Sequence, residues 1–244
     1  TAVNLGAGLA VAGRRTLLID LDPQANSTRA LGYERDPERR TIYGSIIEGT
    51  PLWDTLLTTE LENLTLCPSE NELTGAEIEL ISLPRREYRI ADLLASVKDS
   101  FEFVLMDCPP SLSFLTVNAL TAADSVLIPI QCEYLALEGV TQLIETLRRV
   151  KKVLNPRLNV EGVLLTMYDE RTNLSRQVAE EVHQFFSGSV YNTIIPRNIR
   201  LSEAPSFGKP IFLYDPRSRG ARAYLELAKE ILSREARTET QGAG

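Results

Sequence analysis

Three aspartates stand where chemistry would place them. Asp107 closes the apolar run Phe103-Val104-Leu105-Met106 and is followed by Cys108, Pro109 and Pro110, while Asp20 and Asp22 close the run Leu17-Leu18-Ile19 ahead of Pro23. An apolar run that ends in a carboxylate and is stopped by proline reads as a buried parallel strand, which delivers the acid to the carboxyl edge of a sheet. Open α/β sheets bind their ligands at that edge. Mg²⁺ takes oxygen ligands and keeps several waters that carboxylates orient, so two such strands suit a Mg-nucleotide site. A single strand of this kind is explained equally well by an aspartate that caps the next helix or turn. Two in one chain favour a site.

The elements that must position these acids alternate. Residues 1–13 place Val3, Ala7 and Ala10 on one helical face with Leu5, Leu9 and Ala12 beside it, and Gly13 suits a left-handed stop. The spacing predicts strands over 16–20, 64–67, 103–107, 125–130, 160–166 and 190–195. Helices are expected around Leu31, over Ile90–Val97, from Leu112 to Ala123, from Leu137 to Leu154, around Leu174–Phe185 and over Tyr224–Leu232. Residues 33–59 read as an irregular, partly helical excursion. From Asp54 to Pro84 there are seven acids and no lysine or arginine, which reads as a solvated acidic face. Strand and helix alternate at about 30-residue intervals, which predicts an α/β fold with a mostly parallel, twisted sheet and helices on both faces. A single domain over 1–233 is expected, followed by a polar, disordered tail over 234–244.

With 244 residues, 43% of them apolar, the chain can bury a full core. A net charge of −7 argues against a protein that coats nucleic acid with its whole surface. Cys67, Cys108 and Cys132 lack paired spacing and there is one histidine, so neither a disulfide frame nor a zinc site is encoded. His183 has no acid or nucleophile tied to it and reads as structural or solvated. No run is long and apolar enough to span a bilayer, and a cytoplasmic protein is expected.

The chain resembles the ParA/Soj chromosome- and plasmid-partition ATPases, the deviant-Walker branch of the P-loop NTPases. The resemblance is carried by Leu18-Ile-Asp-Leu-Asp-Pro-Gln24, Met106-Asp-Cys-Pro-Pro-Ser111, Ile130-Gln-Cys-Glu-Tyr-Leu-Ala-Leu-Glu-Gly139, Asp169-Glu-Arg-Thr-Asn173, the stretch from Ile195-Pro-Arg-Asn to Phe207-Gly-Lys-Pro210, and Tyr214-Asp-Pro-Arg-Ser-Arg-Gly220. It implies ATP and Mg²⁺ as cofactors. Asp22 would position the attacking water, Asp107 would hold Mg²⁺ through water, and Asp20 and Thr1 would belong to the nucleotide site. Pro196 and Asn198 would lie beside the adenine. Family members begin with a strand and a glycine-rich loop of the type Lys-Gly-Gly-Val-Gly-Lys-Thr-Thr, whose N–H groups and lysines hold the phosphates. Thr1 matches the end of that loop, so the sequence reads as a longer protein without its first strand and P-loop, and two strands are expected to lack a neighbour.

Between Arg197 and Arg222 six basic residues face two acids, which makes this segment +4. Composition alone fits ordinary surface pairs. The resemblance implies more: arginines matching Arg171 and Arg200 serve sequence-independent DNA binding by an ATP-bound homodimer, and a ParB-type centromere-binding partner triggers hydrolysis and release at the nucleoid. Two other functions compete. A MinD-like membrane-cycling ATPase would need a basic amphipathic helix at the C-terminus, and Ser233 to Gly244 has no apolar face to insert. A non-catalytic scaffold would have lost the P-loop outright.

Overall fold

The computed structural model describes residues 1–111, 113–133 and 138–242. Leu112, Leu137 and the Tyr134-Leu-Ala-Leu part of the resemblance lie outside them. In chain order the elements are α1 (Ala2–Val11), β1 (Thr16–Asp20), α2 (Asn26–Ala30), a π-helical turn (Gly44–Glu48), β2 (Leu57–Thr58), β3 (Leu64–Cys67), α3 (Leu73–Glu79), α4 (Arg89–Leu94), β4 (Phe103–Asp107), α5 (Phe114–Ala122), β5 (Ser125–Gln131), α6 (Glu138–Val153), β6 (Asn159–Thr166), α7 (Asn173–Phe185), α8 (Ile199–Glu203), α9 (Ile211–Tyr214) and α10 (Arg219–Gly242).

The strands form two sheets. One has the order β2-β3-β1-β4, parallel except for the short edge strand β2, and the other pairs β5 with β6 in parallel. Among the described residues no ladder joins β4 to β5, so each keeps one long edge without a bonded strand; these are the two strands that lack a neighbour. What joins the two sheets is a shared helical layer. Leu5 and Leu9 of α1 and Tyr224, Leu227 and Ala228 of α10 form one apolar cluster with Leu164 of β6, and Phe103 and Leu105 of β4 and Leu127 of β5 pack against it.

Alternation along the strands sends neighbours to opposite faces. Leu17 and Ile19 join Leu73, Ile90 and Leu115 of α3, α4 and α5, whereas Leu18 joins Ala7 and Ala10 of α1. On the second sheet Val163 and Leu165 pack under Leu147 and Val150 of α6 and Val178 and Val182 of α7. Helix α1 sits against α10 so closely that a Cβ on Gly8 would lie 3.1 Å from the Tyr224 carbonyl oxygen. Its nearly unbroken apolar sequence is the counterpart of that double burial.

Three expectations are corrected. The stretch 190–195 is not a continuous strand: Tyr191 N and Ile195 N donate to Val163 O and Leu165 O, but the N–H groups of Asn192 and Thr193 turn away to the Glu230 carboxylate, each at 2.9 Å. Residues 234–242 are not a structureless tail, because α10 continues through them to Gly242. Arg234 anchors this extension by donating to Glu230 at 2.8 Å and to the carbonyls of Val190 and Glu161. Inside the acidic run, Leu73, Ala76 and Leu80 are fully buried, which makes α3 part of the core and not only a solvated face.

Candidate functional site

Strands β1 and β4 pair in register, so Asp20 and Asp107 are direct neighbours at the carboxyl edge. Asp20 is fully buried. One of its oxygens accepts from Asp22 N at 3.1 Å, and the other from Thr28 N at 2.8 Å and Thr28 Oγ1 at 2.7 Å. Thr28 Oγ1 in turn accepts from Ser69 N at 3.0 Å, which fastens the same loop to the end of β3. Burial pushes the Asp20 carboxyl up to about 6 against the pull of these hydrogen bonds. Asp20 thus holds both ends of the loop 22–28 and faces that loop.

Asp22 stands on the half-exposed side of the same loop. Its carboxylate accepts from Gln24 N at 2.9 Å and from Asn26 Nδ2 at 3.4 Å, and Ala25 makes the bend with a left-handed φ of 51°. Asp107 accepts a hydrogen bond from Ser27 Oγ. Ser27 and Thr28 are positioning groups that the sequence did not single out; two hydroxyls placed shortly after the strand acid were the available signal.

The start of α1 opens onto this edge. The backbone nitrogen of Thr1 is buried and lies near enough to Asp107 to feel that carboxylate's charge. Thr1 provides no side-chain cap, the first turn holds no acid, and the first intrahelical donor is Leu5 N to Thr1 O at 3.0 Å. The N–H groups of Ala2, Val3 and Asn4 therefore point along the axis without an intrahelical acceptor, an arrangement that attracts an anion. Among the described residues no group of three or more His, Cys, Asp or Glu is gathered for a metal ion. A metal beside Asp107 would take its other oxygens from phosphate and water, as Mg²⁺ does.

The remaining sequence-predicted residues gather past β6. Pro196 bridges to Tyr168, and Asn198 caps α8 by accepting from Arg200 N at 2.9 Å. Arg171 is held by Asp169 through two bonds of 2.9 and 2.7 Å, which keeps the Asp169 carboxyl far below the usual range. Arg200 pairs with Glu203 at 2.9 Å and Asp215 at 3.5 Å. Between the ends of β5 and β6 lies an open cleft of about 510 Å³, lined by Cys132, Glu133, Met167, Asp169, Ser175 and Arg197 among others, with Glu133 and Arg197 ion-paired on its wall. The cysteines take no part: burial pushes Cys67 and Cys108 up to about 12 and Cys132 to about 11, so all three stay as inert thiols.

A mostly parallel α/β sheet with acids at the carboxyl edge and an uncapped helix start between them defines a P-loop-type nucleotide-binding domain, and residues 1–160 match the family described as an AAA domain. Two curated relatives are more specific. The sporulation initiation inhibitor protein Soj of Bacillus subtilis is 55% identical over 231 residues, 95% of this chain and 91% of its own length. The chromosome partitioning protein ParA of Caulobacter vibrioides is 51% identical over 245 residues, 100% of this chain and 92% of its own length. The chain belongs to the Soj/ParA family of chromosome-partitioning ATPases. Among solved structures, a Mycobacterium smegmatis protein named cobyrinic acid a,c-diamide synthase, with bound ADP and magnesium, superimposes with a TM-score of 0.83 at 37% identity, covering 95% of this chain and 86% of that one.

Proposed function

We propose that the protein is an ATP-switched DNA-partition ATPase. A nucleotide's phosphates would lie at the start of α1, beside Thr1, with Mg²⁺ held through water by Asp107. Asp22 would orient the attacking water from its clasped loop, while Asp20 acts through that loop by fixing Asp22. Pro196 and Asn198 would flank the adenine. The ATP-bound form is a homodimer that holds DNA without sequence preference through Arg171 and Arg200, and a ParB-type partner stimulates hydrolysis and release at the nucleoid.

The observation that carries the reading is the register of β1 with β4. It sets the Asp22 loop and Asp107 on one edge beside a helix start with free N–H groups. Phosphoryl transfer needs that combination, since its catalysis is positioning plus stabilisation of charge on the transferred group. The solved neighbour's name points to a different ATP-dependent chemistry; identities of 55% and 51% to partition proteins weigh more than 37%.

Paired substitutions in the full-length protein test the roles. Asp22→Ala is expected to keep ATP binding and trap the dimer while turnover falls about a hundredfold or more, because it removes water positioning and leaves the phosphate contacts. Asp107→Ala is expected to weaken Mg-nucleotide binding itself. Turnover at the parental rate in Asp22→Ala, read by phosphate release, would remove Asp22 from the mechanism.

A further inference from the structure

The second half of α6 and the turn after it carry Arg148, Arg149, Lys151, Lys152 and Arg157, with no carboxylate between Thr146 and Leu158. All five side chains are exposed. Among the described residues none of the five makes an ion pair, although Glu145 lies on the same helix and Asp124 at the start of β5; Lys151 Nζ donates to the uncharged Asn159 Oδ1 at 2.8 Å. Elsewhere pairing is mixed: Arg171, Arg197, Arg200, Lys209 and Arg219 have carboxylate partners, while isolated cations such as Arg35, Lys98 and Arg176 have none among the described residues; what sets 148–157 apart is five such cations on one helix end and turn.

Two ordinary explanations fall short. Basic residues at a helix C-terminus complement the macrodipole, but that effect fades within the last turn. It covers Lys151 and Lys152 and leaves Arg148, Arg149 and Arg157 unexplained. A membrane-surface helix needs an apolar face to insert, and here Leu147 and Val150 are committed to the core, so Val153, at 73% exposure, stands alone. What remains is a dense, unpaired positive surface on a protein of net charge −7. It offers charge and donors to an array of phosphates.

Topology fixes where this surface lies. Asn155 Nδ2 donates to Leu120 O and Ala123 O at 3.0 and 2.7 Å, and Asn159 N donates to Asp124 O at 3.1 Å. The cluster therefore sits at the edge where β5 and β6 begin, the pole opposite the carboxyl edge that carries Asp107, Arg171 and Arg200. We infer that Arg148, Arg149, Lys151, Lys152 and Arg157 form a second contact surface for the phosphate backbone of duplex DNA, so that one molecule can touch two duplex segments at once. The contact is sequence-independent, since all five are phosphate-type cations without a neighbouring base-reading element. The inference rests on the DNA-binding reading above.

The test compares the full-length protein with its R148Q/R149Q/K151Q/K152Q variant on unrelated short duplexes over a salt series. The variant should bind at least about tenfold more weakly at physiological salt, and its plot of log K against log salt should be shallower by roughly 3 to 4, close to 0.9 per lost phosphate contact. Energy transfer between separately labelled duplexes, present with the parent, should disappear. The double variant K151Q/K152Q should show about half the change in slope, which guards against a folding defect in the quadruple one. Unchanged affinity and slope in both variants, with binding still weakened sharply by Arg171→Glu, would overturn this inference alone; a parent that binds no duplex at all would overturn the DNA reading with it. Binding to phosphatidylglycerol vesicles that the variant loses while keeping parental DNA affinity would assign the surface to membranes and overturn it equally.

Discussion

Asp20 and Asp22 are two residues apart and have opposite environments. The first is buried with both oxygens engaged, and the second is half-exposed on the loop that the first holds. The raised pKa of Asp20, about 6, means that the nucleotide-free folded protein keeps this proton more tightly than the unfolded chain does. Stability therefore drops as pH rises from about 4 to 6, by on the order of 3 kcal/mol from this group. Asp20→Asn should remove that component, so the difference between parent and variant in urea unfolding should change across this window and be flat above it. The clasp has a kinetic counterpart. Thr28→Val deletes the hydroxyl that donates to Asp20 and accepts from Ser69 N. A loss of about 2–4 kcal/mol in stability is expected from the unsatisfied groups, and kcat should fall about tenfold with KM little changed, since the loop that carries Asp22 loosens while the phosphate contacts remain. Thr28→Ser should restore much of both.

At the scale of elements, one carboxylate decides where a strand stops. Glu230 on α10 accepts from the N–H groups of Asn192 and Thr193 and pairs with Arg234. The chain beside β6 therefore bonds to a helix where it would otherwise continue the ladder. Glu230→Ala should cost about 2–3 kcal/mol, because it removes the acceptor of two backbone donors and a carboxylate partner of Arg234, and the urea midpoint should fall with little change in slope. The same neighbourhood packs tightly. A Cβ on Gly162 would lie 2.5 Å from the ring of the fully buried Tyr191, over which Arg234 sits at 4.1 Å from the centroid, so Gly162→Ala should cost roughly 1–3 kcal/mol by overpacking.

For the whole molecule, the pairing of Arg171 with Asp169 and of Arg200 with Glu203 sets the strength of the proposed DNA contact. Two arginines on a monomer neutralise few phosphates, and both are partly compensated by their own acids. A two-fold dimer doubles the set, which makes the contact at this edge depend on ATP without any contact between ATP and DNA. Arg171→Glu is expected to weaken DNA retention sharply in the Asp22→Ala background while light scattering still reports the dimer. Asp169→Asn should act the other way. By freeing the Arg171 guanidinium it should tighten binding severalfold and steepen the salt dependence, as read by anisotropy. Weaker binding in Asp169→Asn would show that the acid orients the arginine and does not compete with DNA for it.

The strands β1, β3 and β4 and the helices α6 and α7 were legible in the sequence because a residue's face in an element follows from a fixed period, and apolar side chains must take the buried face whatever they meet there. The same rule brought Asp20, Asp22 and Asp107 to one edge. Position along the chain could not say which way each acid turned. That choice depended on Thr28 and Ser69 closing around Asp20, and on Ser27 reaching Asp107 across 80 residues. The break after Tyr191 was equally hidden, because its cause lies 38 residues away on another helix. Helix α3 was missed for a different reason: its buried stripe Leu73, Ala76 and Leu80 was present, but the surrounding glutamates carried the composition. Local patterning fixes dihedrals and faces. Competition among hydrogen-bond acceptors, and hence the final direction of a side chain or a strand, is settled only when groups distant in sequence become neighbours.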